Sequence, residues 1–278
     1  MRKAVTVICS LICVFASMFT SRAGDPVVSL DKRWVNFFGG LYSPPNNAGC
    51  KQSMWFADSA KFEDKVYYRL VSIANTNDSS FYMRQDGQKV YMRINDRLRD
   101  FIGKIEDAYY VRDDNERIEV MNWVRNLENE TEYLIYDFDA KPGDKFPAFA
   151  ILDERSKQCW DFMNLPFDMG LYPTFLKVRA VFEINVGGQK RICQEFYNSF
   201  QIHPDEWSPD IGYMIEGIGF IDGILMFSRS WMDRTAIDTC RLNFEGFYDG
   251  DMKLIVSRSQ AIEAINEEKN KQTDTGGR

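Results

Sequence analysis

The sequence predicts a mainly β fold, either an antiparallel β-sandwich or an open barrel with few short helices. Short runs rich in β-branched and aromatic residues alternate with turn-forming residues along most of the chain. Two pairs of these runs flank two-residue turns of the kind that close β-hairpins. Helical periodicity is clear only near the C-terminus. Together these observations favour strands that pair antiparallel with their neighbours in the chain.

Each predicted strand has a local signal. Residues 66–73 are dominated by Val, Tyr, Leu and Ile, which favour strands. Residues 81–94 predict a hairpin around Asp86-Gly87, and residues 178–196 predict a second one around Gly187-Gly188. Further strands are predicted at 117–124, 132–136, 213–218, 224–229 and 252–257.

A C-terminal helix is predicted at 257–271, because Ala261, Ile262 and Ile265 share one face amid Glu and Lys. The polar residues at its end have little means of packing. We therefore expect 267–278 to form a disordered tail.

The first 23 residues have the layout of a secretory signal peptide. Arg2 and Lys3 precede an apolar run over 4–19, and Ser21-Arg22-Ala23 places small residues where a signal peptidase reads them. The run is shorter than the roughly 20 residues needed to span a bilayer, which favours cleavage after Ala23 over a retained anchor. We expect the protein to be secreted, periplasmic or on the cell surface.

A single β-rich domain over 24–266 is the simplest organisation, since no repeat or low-complexity linker interrupts it. A subdivision near 140–176 is the alternative. Residues 151–176 show no clean period and are expected to form a long excursion between β segments.

The charge balance excludes some classes of partner. The net charge is −7 at pH 7, and the leader carries basic residues but no acidic one, so the mature chain is still more acidic. No basic cluster is visible in the sequence to neutralise phosphates, which argues against nucleic acid. No apolar stretch of membrane length follows residue 23, so no integral membrane segment is expected after cleavage. A glycan or a cell-envelope protein is the partner that fits this setting.

Cysteine usage points to an oxidising compartment. Four cysteines follow the leader, and an even number in an exported chain predicts disulfides. Their three pairings stay open, although we favour a bridge between Cys193 and Cys240. Buried free thiols are the alternative, since a chain of this size has a large enough core to be stable without disulfides. The candidates are Cys50, Cys159, Cys193 and Cys240.

Residue types exclude several kinds of catalytic centre. The chain has one histidine, His203, and its neighbours provide no partner at a motif spacing for a hydrolase triad. One histidine with widely spread cysteines also lacks the ligand spacing of a zinc site. Asp137 to Asp144 contains several acids, but Pro142-Gly143 indicates a type II turn rather than a calcium loop. The sequence therefore predicts no metal, no cofactor and no catalytic residue.

Two alternatives to a binding or envelope-associated protein stay open. A glycan hydrolase would need two acids across a cleft, and Glu216 with Asp222 is conceivable. A lipocalin-like carrier would hold an apolar ligand inside a barrel. The six tryptophans could serve as a stacking surface for sugars, although such residues are commonly buried in β-sandwich cores.

Three blocks resemble a known group of proteins. These are the 81–94 hairpin, the Tyr-Asp-Phe and Lys-Pro-Gly-Asp segment within 132–144, and Ile215-Glu216-Gly217-Ile218-Gly219 followed by Gly223-Ile224-Leu225. In this order they are similar to exported, β-rich proteins of Bacteroidetes-type bacteria whose function is generally unassigned. The resemblance spans roughly residues 60–250 and implies export and a β-rich fold. The resulting hypothesis is an exported, non-catalytic binding or envelope-associated protein.

We expect the exported protein to begin at Gly24, because signal peptidase cleaves after small residues arranged as in 21–23. N-terminal sequencing of the protein recovered outside the cytoplasm measures this directly. A retained Met1 on exported protein would contradict the cleavage prediction.

Overall fold

Antiparallel strands make up most of the described chain, as the sequence predicts. The structure is a computed structural model and describes residues 26–39, 50–72, 81–108, 111, 113–152, 171–198, 211–221, 228–229 and 241–275. The strands, in chain order, are β1 (Lys32–Gly39), β2 (Cys50–Phe62), β3 (Lys65–Ser72), β4 (Phe81–Asp86), β5 (Lys89–Arg93), β6 (Glu132–Asp137), β7 (Lys145–Leu152), β8 (Leu171–Val186), β9 (Gln189–Asn198), β10 (Ile211–Ile215), β11 (Gly219–Phe220), β12 (Ser228–Arg229), β13 (Arg241–Asp249) and β14 (Leu254–Ser257).

The strands form two sheets that pack against each other. The first sheet has the order β14-β13-β1-β2-β3-β4-β5-β6, and the second has the order β11-β10-β9-β8-β7-β12. Among the described residues every pairing is antiparallel except that of β12 with β7. The prediction of a mainly antiparallel β fold is confirmed.

Both predicted hairpins are confirmed. Strands β4 and β5 pair around the turn that contains Gly87, and β8 and β9 pair around Gly187 and Gly188. All three glycines have positive φ angles, of 59°, 63° and 72° in chain order. Only glycine adopts these angles at little cost, so these residues set the register of the strands. A Cβ at Gly187 would also lie 2.8 Å from Val256 Cγ2, which adds a packing reason for glycine there.

Three helices lie in the described part of the chain, namely α1 (Asp96–Ile102), α2 (Asp114–Leu127) and α3 (Arg258–Thr275). The predicted strand at 117–124 is wrong, because these residues belong to α2. The Asp113 side chain accepts a hydrogen bond from the Glu116 backbone N–H at 2.9 Å and caps the helix. Val120, Val124 and Leu127 are buried at helical spacing, so burial of one face stabilises the helix.

The C-terminal helix extends farther than the sequence predicts. Helix α3 continues to Thr275, into the region where a disordered tail is expected. The Lys269 ammonium reaches Glu195 Oε2 at 2.5 Å and the Tyr213 hydroxyl at 3.2 Å, which holds the helix on the second sheet. The Thr273 hydroxyl donates to the Lys269 and Asn270 carbonyls within the same helix. No helix in the described residues is long and apolar enough to cross a membrane.

Aromatic rings fill the space between the two sheets. Tyr136 of β6 contacts Phe220 of β11 with ring centroids 5.1 Å apart, and Phe220 contacts Phe196 of β9 at 6.1 Å. Phe196 in turn contacts Phe146 of β7 at 5.8 Å. One buried apolar cluster runs from Val27 through both sheets to Ile265 of α3. Buried rings of this size supply much of the hydrophobic stabilisation of such a core.

A polar network ties three strands together on the outer side of the first sheet. Glu132 of β6 accepts hydrogen bonds from Lys65 and Tyr67 of β3 and from Arg84 of β4, at 2.5 to 2.7 Å. Burial raises the pKa of Glu132, but the hydrogen bonds from Arg84, Lys65 and Tyr67 outweigh it and lower the pKa to about 2. Burial and the Glu132 carboxylate raise the pKa of Tyr67 to about 12.

Replacing Glu132 with Gln should lower the free energy of unfolding by about 2 kcal/mol at neutral pH, because Arg84 loses its carboxylate partner. A depressed pKa stabilises the fold above the ordinary value of 4.5, and this stability is lost as the pH falls toward 2. The difference between wild type and Glu132→Gln should therefore shrink below about pH 4.5. Urea unfolding at several pH values measures it. Glu130→Gln is the control at an exposed neighbour, and an equal loss in both variants would contradict the prediction.

Candidate functional site

A tight turn connects β10 and β11 of the second sheet and contacts the first sheet. It contains Glu216, Gly217 and Ile218, and Gly217 and Gly219 have φ angles of 77° and 92°. Such positive angles favour glycine, so the local sequence fixes this conformation. A Cβ at Gly219 would lie 3.4 Å from the Tyr136 hydroxyl oxygen, so the turn also approaches β6 closely.

Long side chains from both sheets hold three consecutive carbonyls of this turn. Arg191 of β9 donates to the Glu216 carbonyl at 2.9 Å. Lys32 of β1 donates to the Gly217 carbonyl at 3.2 Å, and the Trp34 indole N–H donates to the Ile218 carbonyl at 2.7 Å. All three donors are buried, at most 6% exposed. Because a buried carbonyl without a donor is costly, these bonds fix the turn in one place.

The Glu216 side chain is also held from both sheets. Its Oε1 accepts from the Gln88 side-chain amide at 3.2 Å, and its Oε2 accepts from the Ile192 backbone N–H at 3.1 Å. Glu216 is 3% exposed. Each carboxylate oxygen can accept more than one hydrogen bond, so this acid keeps acceptor capacity for a ligand.

A cavity of about 300 Å³ opens beside Glu216. This volume lies at the lower end of the range for small-molecule sites. The polar wall consists of Glu216, Gln88, Asp139 and Lys141, and the apolar wall consists of Phe138, Ala140, Pro142, Val181 and Ile192. We call this cavity the Glu216 pocket.

The polar wall combines groups of opposite charge. Asp139 and Lys141 are exposed at the rim, whereas Glu216 and Phe138 are buried. Residues 141–144 form the turn predicted from Pro142-Gly143. Gly143 has a φ of 94°, and the Lys141 N–H donates to Asp144 Oδ2 at 2.8 Å. The pocket can thus offer two carboxylates, an amide and an ammonium to a small polar ligand, above an apolar surface.

The sequence identified one residue of this site and missed the others. The sequence offers Glu216 only as a conceivable hydrolase acid beside Asp222, and Asp222 lies outside the described residues. Gln88 lies in the hairpin turn after β4, and Asp139 and Lys141 follow β6. The cluster of polar residues after Tyr136 was the available signal, although sequence alone does not place it beside Glu216.

The predicted disulfide between Cys193 and Cys240 is not formed in the structure. Cys193 is a free thiol, fully buried in the middle of β9. Burial raises the pKa of the Cys193 thiol well above its ordinary value, so the thiol stays protonated and unreactive. Cys159 and Cys240 lie outside the described residues, as does the side chain of Cys50 in β2. Bridges among these three remain a prediction.

Two other sequence hypotheses concern titratable groups. His203 lies outside the described residues, so its predicted lack of a catalytic partner stays a prediction. Within the part of the chain that the structure describes, no group of three or more His, Cys, Asp or Glu side chains has the arrangement of a metal site.

Comparison with protein-family models, with curated proteins and with solved structures returned no match to this chain.

Trp34→Phe should lower the free energy of unfolding by about 2–3 kcal/mol, because it removes the donor to the Ile218 carbonyl and leaves space where the indole ring packed. Denaturant unfolding measures the loss. Trp55→Phe is the matched control, because Trp55 is only half-buried on the outer side of the first sheet. We expect the control to lose less than about 1 kcal/mol. Equal losses would show that the Trp34 hydrogen bond contributes little to the turn.

Proposed function

We propose that this chain is an exported binding protein that holds a small hydroxyl-bearing ligand in the Glu216 pocket and does not transform it. The observation that carries the proposal is the double anchoring of the Glu216 carboxylate by Gln88 and by the Ile192 backbone. A carboxylate fixed on both oxygens is preorganised as a hydrogen-bond acceptor. Recognition of a hydroxyl group needs such an acceptor, at little cost in side-chain freedom.

The composition of the pocket supports a saccharide unit as the ligand. Hydroxyl groups donate to carboxylates, and Glu216 and Asp139 both line the cavity. The apolar faces of Phe138 and Pro142 provide a surface for the C–H groups of a sugar ring. A lipocalin-like carrier is less well supported, because aromatic rings fill the described space between the sheets.

The proposed location rests on the sequence. The basic start, the apolar run and the small residues up to Ala23 support export through a cleaved signal peptide. The resemblance to exported β-rich proteins supports the same location. In that setting a glycan or an envelope component is the ligand source that we propose.

One observation favours a hydrolase as the second candidate. Glu216 and Asp139 line the same cavity, and glycosidases act with a pair of carboxylic acids across the scissile bond. Against this candidate, both oxygens of Glu216 are already engaged by protein donors. A general acid must bring its proton to the leaving oxygen of the substrate, which these contacts hinder.

Saccharide titration tests the proposal. We expect at least one monosaccharide from a panel of neutral and acidic sugars to bind wild-type protein in isothermal titration calorimetry. Glu216→Gln keeps the shape of the side chain but removes one acceptor oxygen. Affinity should fall about tenfold, the loss expected for one hydrogen bond between a charged group and a ligand.

Glu263→Gln on the exposed side of α3 is the matched control and should leave affinity unchanged. Failure of the whole panel to bind, or equal affinity in Glu216→Gln, would refute the proposed function. Release of nitrophenol from an aryl glycoside by wild type, abolished in Glu216→Gln, would establish the hydrolase instead.

A further inference from the structure

Four arginines lie on the outer side of the first sheet, on the side away from the core between the two sheets. They are Arg33 of β1, Arg69 of β3, Arg84 of β4 and Arg93 of β5, and we call this surface the guanidinium face. In β4 and β5 the burial alternates along the strand, with methionine and valine side chains buried and the arginines partly buried on the other side, where 13% of the Arg84 side chain is exposed. The alternation places the arginines on the side away from the core.

Aromatic rings support the guanidinium groups. Arg33 lies over the Trp55 ring at 4.7 Å, Arg84 over Tyr91 at 4.3 Å and Arg93 over Phe62 at 4.0 Å, measured to the ring centroids. Stacking on a ring holds a guanidinium flat and leaves its N–H edges for a second partner. The edges of Arg84 are already bonded to Glu132 and Asp86, so Arg33 and Arg93 are the preorganised groups that a ligand would meet, at little cost in side-chain order.

The acidic side chains within the face are already neutralised. Both Asp58 oxygens accept from Arg69, and both Glu132 oxygens accept from Arg84 and its neighbours. The contacts of Arg33 and Arg93 are of another kind: Arg33 meets Trp55 and the Met252 sulfur, and Arg93 meets Phe62. Within the described residues neither of these two arginines contacts a carboxylate. The face therefore carries positive charge in a chain whose net charge is −7.

The spacing of the arginines fits a polymer rather than a single ion. Arg33 lies over Trp55 and Arg93 lies over Phe62, and these two rings are seven residues apart along β2. At about 3.3 Å per residue, this separates the two guanidinium groups by up to about 23 Å. A ligand that engages both must repeat its anionic groups over that length. Guanidinium groups bind planar carboxylates and tetrahedral oxyanions with two parallel hydrogen bonds.

We propose that the guanidinium face binds an anionic polysaccharide, one that carries carboxylate or sulfate groups along an extended chain. This surface is separate from the Glu216 pocket, so it adds a second binding activity. Two guanidinium groups held on rings at separate points along β2 suit a polymer that lies along this strand. An anionic membrane is less suitable, because membrane-binding surfaces insert protruding apolar side chains and the rings here lie beneath the arginines.

The test uses chondroitin sulfate as the anionic probe and dextran as the uncharged probe. We expect wild-type protein to bind chondroitin sulfate but not dextran in affinity electrophoresis, with binding that weakens as salt is added. The double variant Arg33→Gln and Arg93→Gln should lose affinity about tenfold, because both arginines without a carboxylate partner are removed. Arg125→Gln, on the exposed side of α2, removes one charge elsewhere and should bind as wild type does.

A third variant separates the loss of arginine geometry from the loss of charge. Arg33→Lys with Arg93→Lys retains both charges but loses the flat fork, and it should bind with an affinity between wild type and the Gln variant. Equal binding by wild type and the Gln variant would overturn the proposal, as would equal binding to dextran or stronger binding to phosphatidylglycerol vesicles. Monosaccharide binding at the Glu216 pocket is measured separately, so failure of either proposal leaves the other standing.

Discussion

The arrangement of the two sheets depends on three side-chain hydrogen bonds to the backbone of the Glu216–Gly219 turn. Lys32 and Trp34 reach it from the first sheet, and Arg191 reaches it from the second. Loss of one donor leaves a buried carbonyl unpaired, which costs about 1–3 kcal/mol. Hydrophobic contacts between the sheets are not directional, so the rings of Tyr136, Phe196 and Phe220 alone would tolerate small shifts. The three hydrogen bonds to the turn are directional, so they remove that freedom and set one relative position of the sheets.

The Glu216 pocket follows from this constraint. Its walls come from Gln88 and the 138–142 segment on one side and from Val181 and Ile192 on the other. These elements belong to different sheets, so the width of the pocket depends on how the sheets are held. The turn also brings the Glu216 carboxylate to the wall, since its backbone bonds to Ile192 and its carbonyl accepts from Arg191. A binding function therefore depends on the same bonds that stabilise the fold.

The sequence predicted the local elements better than their assembly. The Asp86-Gly87 and Gly187-Gly188 turns were found because positive φ angles leave a clear signature in residue type. Helix α2 was missed because Ile118, Val120 and Val124 favour strands, although Asp113 and Glu116 carry the signal of a helix start. Propensity is a weak guide where tertiary packing decides. Glu216 was named only as a conceivable hydrolase acid, because its neighbours in the pocket come from distant segments that only the packing of the sheets brings together.

The guanidinium face shows why charge must be considered in three dimensions. Arg33, Arg69, Arg84 and Arg93 are scattered over 61 positions of an acidic chain, so no basic cluster is visible along the sequence. Sheet pairing places them on one side, because residues on neighbouring strands share a face when they are paired or two residues apart. The aromatic partners contribute twice, since Trp55, Tyr91 and Phe62 are both strand formers and supports for the arginines. The same alternation that buries the methionines of β4 and β5 therefore builds a charged outer surface, and a single pattern supplies both the stability of the sheet and a place for a partner.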